Sequence, residues 1–299
     1  MKILRALAIA FLAAASVVQV LAAPAKSAKP LVAVSIIPQA YFVNRIAGDR
    51  VEVLTLVGPG QSPHSYEPTP RQMSALSRAA LWFANGTDFE RGLEPKIRSL
   101  YPSLRIVNTT EKVAFRQLEE HHHEGEAEGD HEEGHEESGV DLHTWLGRVP
   151  VKIQLAAIRD ALAAFDPAGA PQYAKNHDRF VAEIDRTFDK LARDLEPLRG
   201  RTVYVYHPAF GYFLDEFGIV QEAVETGGKE PTQKGLAELA AHAKEDGAKV
   251  IFVQAQFPTA AAKTLAKAIG GVVQSLDPLA PDWLANIELM GAALEKAAR

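Results

Sequence analysis

The sequence predicts an α/β protein of two domains, each a mostly parallel sheet with helices on both faces, joined by one long rigid helix. Three observations carry that prediction. From residue 31 onward, short β-branched runs alternate with helical segments, the order that builds parallel sheets. The same order of elements recurs after residue 200, although no sequence repeat accompanies it. Between the two, the stretch 171–198 sets Tyr173, Phe180, Ile184, Phe188, Leu191 and Leu195 on one helical face. Its 28 residues, at 1.5 Å each, reach roughly 40 Å, enough to span two domains. A length of 299 residues allows about two domains, drawn here as 30–149 and 200–299 with linking helices over 150–199.

Taken in order, 31–37 (LVAVSII) is a buried strand ended by Pro38, 40–47 a short helix, and 51–57 (VEVLTLV) a second strand. The turn-rich loop 58–64 then delivers His64. Thr69 can cap a helix that has Pro70 at its first position, where no intrahelical hydrogen bond is lost. Strands at 81–84 and 104–107 flank a helix near 90–100. After 140–146 (VDLHTWL), helix resumes over 150–164 and is broken by Asp166-Pro167-Ala168-Gly169. In the second half, strands at 202–206, 219–224, 250–254 and 272–276 alternate with helices at 209–217, from Thr232 to 244, 259–269, and from Asp282 to 297.

The N-terminus has the composition of a cleavable export signal over 1–23: Lys2 and Arg5, then an apolar run over 6–21, then small residues. That run is interrupted by Ser16 and Gln19 and is too short to span a membrane comfortably. The chain has no Cys, so neither a disulfide nor a lipidated cysteine is expected. These features predict an exported periplasmic protein with no stable membrane insertion and no further membrane-crossing segment.

The net charge of −6 is local. Residues 119–137 (EEHHHEGEAEGDHEEGHEE) hold ten acidic groups, five His and no Lys or Arg, so the remainder carries +4. No basic face large enough for nucleic acid follows from that balance. With no large apolar side chain, 119–137 cannot bury a core and reads as a disordered, solvated loop. Imidazole and carboxylate together are divalent-metal ligands, which makes His121, His122, His123, His131 and His135 candidate low-affinity metal ligands.

Tight binding calls for ligands on rigid backbone. Open parallel sheets bind at the carboxyl ends of their strands. His64 follows the second strand, His207 ends the fifth, and Asp277 follows the last. His143 sits beside Trp145 just before the first linking helix. Two of these come from each half, which places a site in the interdomain cleft. Three imidazoles and a carboxylate make a zinc-type set. Asp277 before Pro278 is equally a turn start, and His177 and His242, within helices, read as packing or surface residues.

The stretches GPGQSPHSYEPTP, DLHTWL, VYHPAFGYFLDEFGI, GGKEPT and SLDPLA occur in an order that resembles the metal-binding solute-binding proteins of bacterial ABC importers, in particular their zinc branch (ZnuA-like). The resemblance covers essentially the whole chain after the leader. It implies a monomeric periplasmic protein that captures Zn2+ between two α/β domains and delivers it to an ABC permease. It places the metal ligands at His64, His143 and His207, with Asp277 where some members carry a fourth. Manganese-preferring relatives tend to have a carboxylate in place of His207. Manganese or iron import, a periplasmic zinc buffer and, from another class, a metallohydrolase are the competing readings.

Overall fold

The computed structural model describes residues 29–118, 139–225 and 229–297. The leader expected over 1–23, and 119–137 with His121, His122, His123, His131 and His135, lie outside the described residues.

The first half is built from β1 (Leu31–Val34), α1 (Ile37–Ala47), β2 (Glu52–Thr55), α2 (Pro70–Leu76), β3 (Leu81–Ala84), α3 (Asp88–Leu100) and β4 (Arg105–Asn108). Its sheet runs β2-β1-β3-β4 with every pair parallel. β3 is buried throughout, and β1 on all but its first residue, which is why these strands read as unbroken apolar runs. Thr69 does cap α2: its Oγ1 accepts the Gln72 N–H, and the Gln72 side chain returns to the Thr69 N–H.

The second half repeats the plan with β5 (Thr202–Val205), α6 (Gly211–Asp215), β6 (Val220–Ala223), α7 (Gln233–Glu245), β7 (Val250–Val253), α8 (Ala260–Ala268), β8 (Val272–Ser275) and α9 (Trp283–Ala297). The sheet order β6-β5-β7-β8 is the first-half order transposed, and it too is wholly parallel.

Two helices link the sheets: α4 (Arg148–Phe165) and α5 (Ala170–Asp194). The long helix ends earlier than the periodicity suggests. α5 has 25 residues, about 37 Å at the standard rise, and a separate 3-10 turn, Glu196–Leu198, follows it. Pro197 is the reason, since it has no N–H to donate and disfavours α geometry at the residue before it. The apolar face of α5 is fully buried at Tyr173, Phe180, Ile184 and Phe188. These side chains join a single apolar core with Phe42 and Ile46 of the first half and Phe210, Phe213 and Phe252 of the second. α9 returns from the second sheet to lie along α5, and Trp283 packs edge-on against both Phe42 and Phe180. The halves are therefore joined through shared core as well as through the connector. Among the described residues, no helix is long and apolar enough to cross a membrane.

The α5–α9 contact leaves no room at Gly291, where an added Cβ would collide with Leu191 Cδ2. Gly291→Val is expected to lower stability by about 1–3 kcal/mol. Urea unfolding should show this as a lower midpoint with an unchanged slope.

Candidate metal centre

Three imidazoles on three separate loops meet between the halves. His64 lies in the connection from β2 to α2, His143 immediately precedes a 3-10 turn (Thr144–Leu146) leading into α4, and His207 lies just beyond β5. His64 Nε2 is 3.0 Å from His207 Nε2, which is 3.1 Å from His143 Nε2. One ligand-capable atom from each ring falls within 4.8 Å of the others. Zinc–nitrogen bonds of about 2.0–2.1 Å in a tetrahedral shell set ligand nitrogens roughly 3.3 Å apart, close to the two measured separations.

The opposite edge of every ring meets a carboxylate. His64 Nδ1 is 2.7 Å from Asp88 Oδ2, His143 Nδ1 is 2.8 Å from Asp141 Oδ1, and His207 Nδ1 makes a short contact with Glu225 Oε1. Once ionised, which for Glu225 means above about pH 7, these carboxylates only accept, so each Nδ1 carries the proton and each Nε2 presents a lone pair. Three lone pairs facing one another at this range repel unless a cation lies among them.

Local structure explains each pairing. Asp88 is the first residue of α3, where the unpaired helical N–H groups favour negative charge. The hydrogen bond with His64 is the main cause that holds the Asp88 carboxyl below its ordinary range. Asp141 is fully buried, and its Oδ1 also accepts the backbone N–H of His143. Glu225 follows from register: Val205 pairs with Ala223, so two residues further along each strand direction His207 and Glu225 come side by side. The Glu225 N–H continues that pairing onto Tyr206 O.

The His207 backbone is bracketed by buried Gln254, which accepts its N–H at 3.3 Å and donates to its carbonyl at 2.7 Å. Phe257 stacks on the His207 ring with centroids 4.5 Å apart. Trp145 packs against His143, its indole N–H donates to Pro278 O, and the Trp283 indole N–H donates to Trp145 O. His143 and His207 are buried, whereas the His64 side chain is 38% exposed, so solvent reaches the centre past His64. The cavity these groups line has a volume of about 20 Å3, room for about one water-sized sphere.

A second set of contacts ties His143 across the two halves. The Arg116 guanidinium bonds Asp141 Oδ2 and, on α6, Asp215 Oδ2. Tyr212 OH accepts the Arg116 N–H and donates to Asp141 O. Gly211 makes the seat: a Cβ there would overlap the guanidinium. Beside Arg116, Gln117 and Val140 form an antiparallel bridge, and Leu118 N–H donates to Gly139 O, closing a neck.

Asp277 does not join the converging atoms. Its Oδ1 accepts the Leu279 N–H at 2.9 Å and a Gln256 Nε2–H at 3.3 Å, the behaviour of a turn-starting Asp. His177 lies on α5 and His242 on α7, both outside the group.

The family model for zinc-uptake complex component A, periplasmic (ZnuA), matches residues 32–297. The chain belongs to this family. A solved ZnuA crystal structure is similar at a TM-score of 0.82 and 32% identity, covering 91% of this chain and 100% of that one. A zinc-bound ZnuA deletion mutant is similar at 0.80 and 32%, covering 90% and 98%. The high-affinity zinc uptake system protein ZnuA of Bacillus subtilis is 28% identical over 86% of this chain and 81% of its own length. A putative metal-binding protein of Chlamydia muridarum is 30% identical over 65% of this chain, and the match spans 64% of that relative.

Within this ZnuA-family chain, sequence reasoning missed Asp88, Asp141, Glu225 and Gln254. Asp141 could have been found, since it lies two residues before His143. Glu225 needed the β5–β6 register.

Burial pushes the Glu225 carboxyl up to about 7. Burial, with His143 and His64 nearby, holds His207 well below its ordinary 6.5. The two act oppositely on stability. Between 4.5 and about 7 the folded state keeps a proton on Glu225 that the unfolded chain releases, so this group costs stability as pH rises through that window. Below 6.5 the unfolded chain protonates His207 and the folded state resists, so acid withdraws stability there. Glu225→Gln in the metal-free protein is expected to raise stability at pH 8 by on the order of 2 kcal/mol. Denaturation series across pH should show that gain fading toward 4.5; a pH-independent gain would contradict the assignment.

Proposed function

We propose that this chain captures Zn2+ in the periplasm and hands it to the permease of an ABC importer. One observation carries the reading: the Nε2 atoms of His64, His143 and His207 converge while a carboxylate fixes each ring from behind. This is the carboxylate–histidine–metal arrangement, in which the acceptor sets the tautomer and raises the basicity of the ligand nitrogen. Three neutral imidazoles favour zinc over manganese, which prefers oxygen donors. Membership of a zinc-uptake family supports the same cargo and the same destination.

The protein acts as a monomeric binding protein and not as an enzyme. The space among the three imidazoles is about 20 Å3, enough for a single ion. Glu67 and Glu230, the acids nearest the sequence motifs that could serve a hydrolase as general base, are both exposed and outside the converging group. The His-rich 119–137 is an accessory collector of metal, its imidazoles and carboxylates being divalent-metal ligands.

Competition titration with a chelator tests the reading. His207→Ala is expected to weaken zinc at least 100-fold, on the order of 3 kcal/mol, while removal of 119–137 leaves the tight site in place. Affinity in the intact protein should fall as pH drops toward 5, because a protonated imidazole cannot coordinate. Unchanged tight binding in His207→Ala would defeat the three-histidine assignment.

A further inference from the structure

Gln256 lies on the β7–α8 connection and lines the same cavity as the three imidazoles. Its Nε2 donates to Asp277 Oδ1, and the Leu279 N–H holds that oxygen in place. A carboxylate accepts and does not donate, so Asp277 dictates that the NH2 end of the amide faces it. The carbonyl is the end left over. Gln256 Oε1 is buried and accepts no hydrogen bond from any described residue, and a buried acceptor of this kind calls for a donor. The neighbouring residue, Phe257, stacks on His207 and pins the connection to the site.

We propose that Gln256 Oε1 accepts a hydrogen bond from the water that completes the shell of bound zinc, with Asp277 as the positioning residue behind it. The inference rests on the three-histidine reading above. Zinc takes its protein ligands chiefly from His, Cys and carboxylates, so an amide oxygen fits better as a partner of the water than as a ligand. An acceptor there draws on the water's proton, raises the electron density of the coordinated oxygen and fixes its direction. Asp277, whose Oδ1 already receives two donors, acts on the metal through the amide rather than by direct contact.

The experiment measures zinc affinity by chelator competition in Gln256→Leu, Asp277→Asn and the double variant, together with visible spectra of the Co2+-loaded proteins. Gln256→Leu is expected to bind zinc about 10–100-fold more weakly and to shift the Co2+ bands, with an unchanged melting midpoint in the metal-free state. Asp277→Asn should weaken binding too, because an amide at that position no longer compels the orientation of Gln256. The double variant should be no weaker than the poorer single by more than about twofold, since both act through one group. Gln256→Leu with wild-type affinity and bands would overturn the proposal, as would full additivity of the two losses, which would make Asp277 an independent ligand. Should Gln256→Leu fail to fold, the Co2+ bands of Asp277→Asn decide. His207→Ala run alongside separates the two levels: wild-type affinity there removes the three-histidine reading itself.

Discussion

Three imidazoles can all turn a lone pair toward one cation only if every ring is neutral and carries its proton on the far nitrogen. A single added proton would place an N–H donor and a positive charge among lone pairs meant for a cation. Each Nδ1 therefore needs an acceptor of its own, and the fold supplies three by three different means. Asp88 comes from the start of a helix, Asp141 from the residue two before its histidine, and Glu225 from the register of two parallel strands. A change in the β5–β6 pairing by one residue would turn Glu225 away while leaving His207 in place.

That requirement ties the candidate metal centre to the joint between the halves. His64 and His143 come from the first part of the chain and His207 from the second, so the nitrogens stay in range only while the two sheets keep their spacing. α5, the core it shares with both sheets and the return of α9 across it hold that spacing. The two tryptophans add a direct brace between the His143 turn and the segment after β8. Arg116 of the first half and Tyr212 of the second add another, both bonded to Asp141. His64, on an exposed loop and anchored by a partly exposed acid, is the least constrained of the three.

Much of this could be read before any coordinates. Apolar runs and their alternation with helical segments gave the two parallel sheets, and strand ends gave His64 and His207. Helix limits were harder, because Pro197 stops α5 although the apolar spacing runs on through Leu198. Asp277 follows a strand, and its Oδ1 receives the Leu279 N–H and the Gln256 amide, partners that a sequence does not show. Glu225 was passed over because its partner is 18 residues away along the chain and adjacent only once two strands align.

The neck at Leu118 and Gly139 bears on what this architecture permits. The Leu118 and Gly139 backbones are hydrogen-bonded, so the two ends of the intervening sequence are held almost together. Each doubling of such an insert costs only about 0.6 kcal/mol of closure entropy. A change of length at this position, a grafted reporter domain included, is therefore cheap in closure entropy. A module placed there would sit a few residues before His143, a candidate metal ligand.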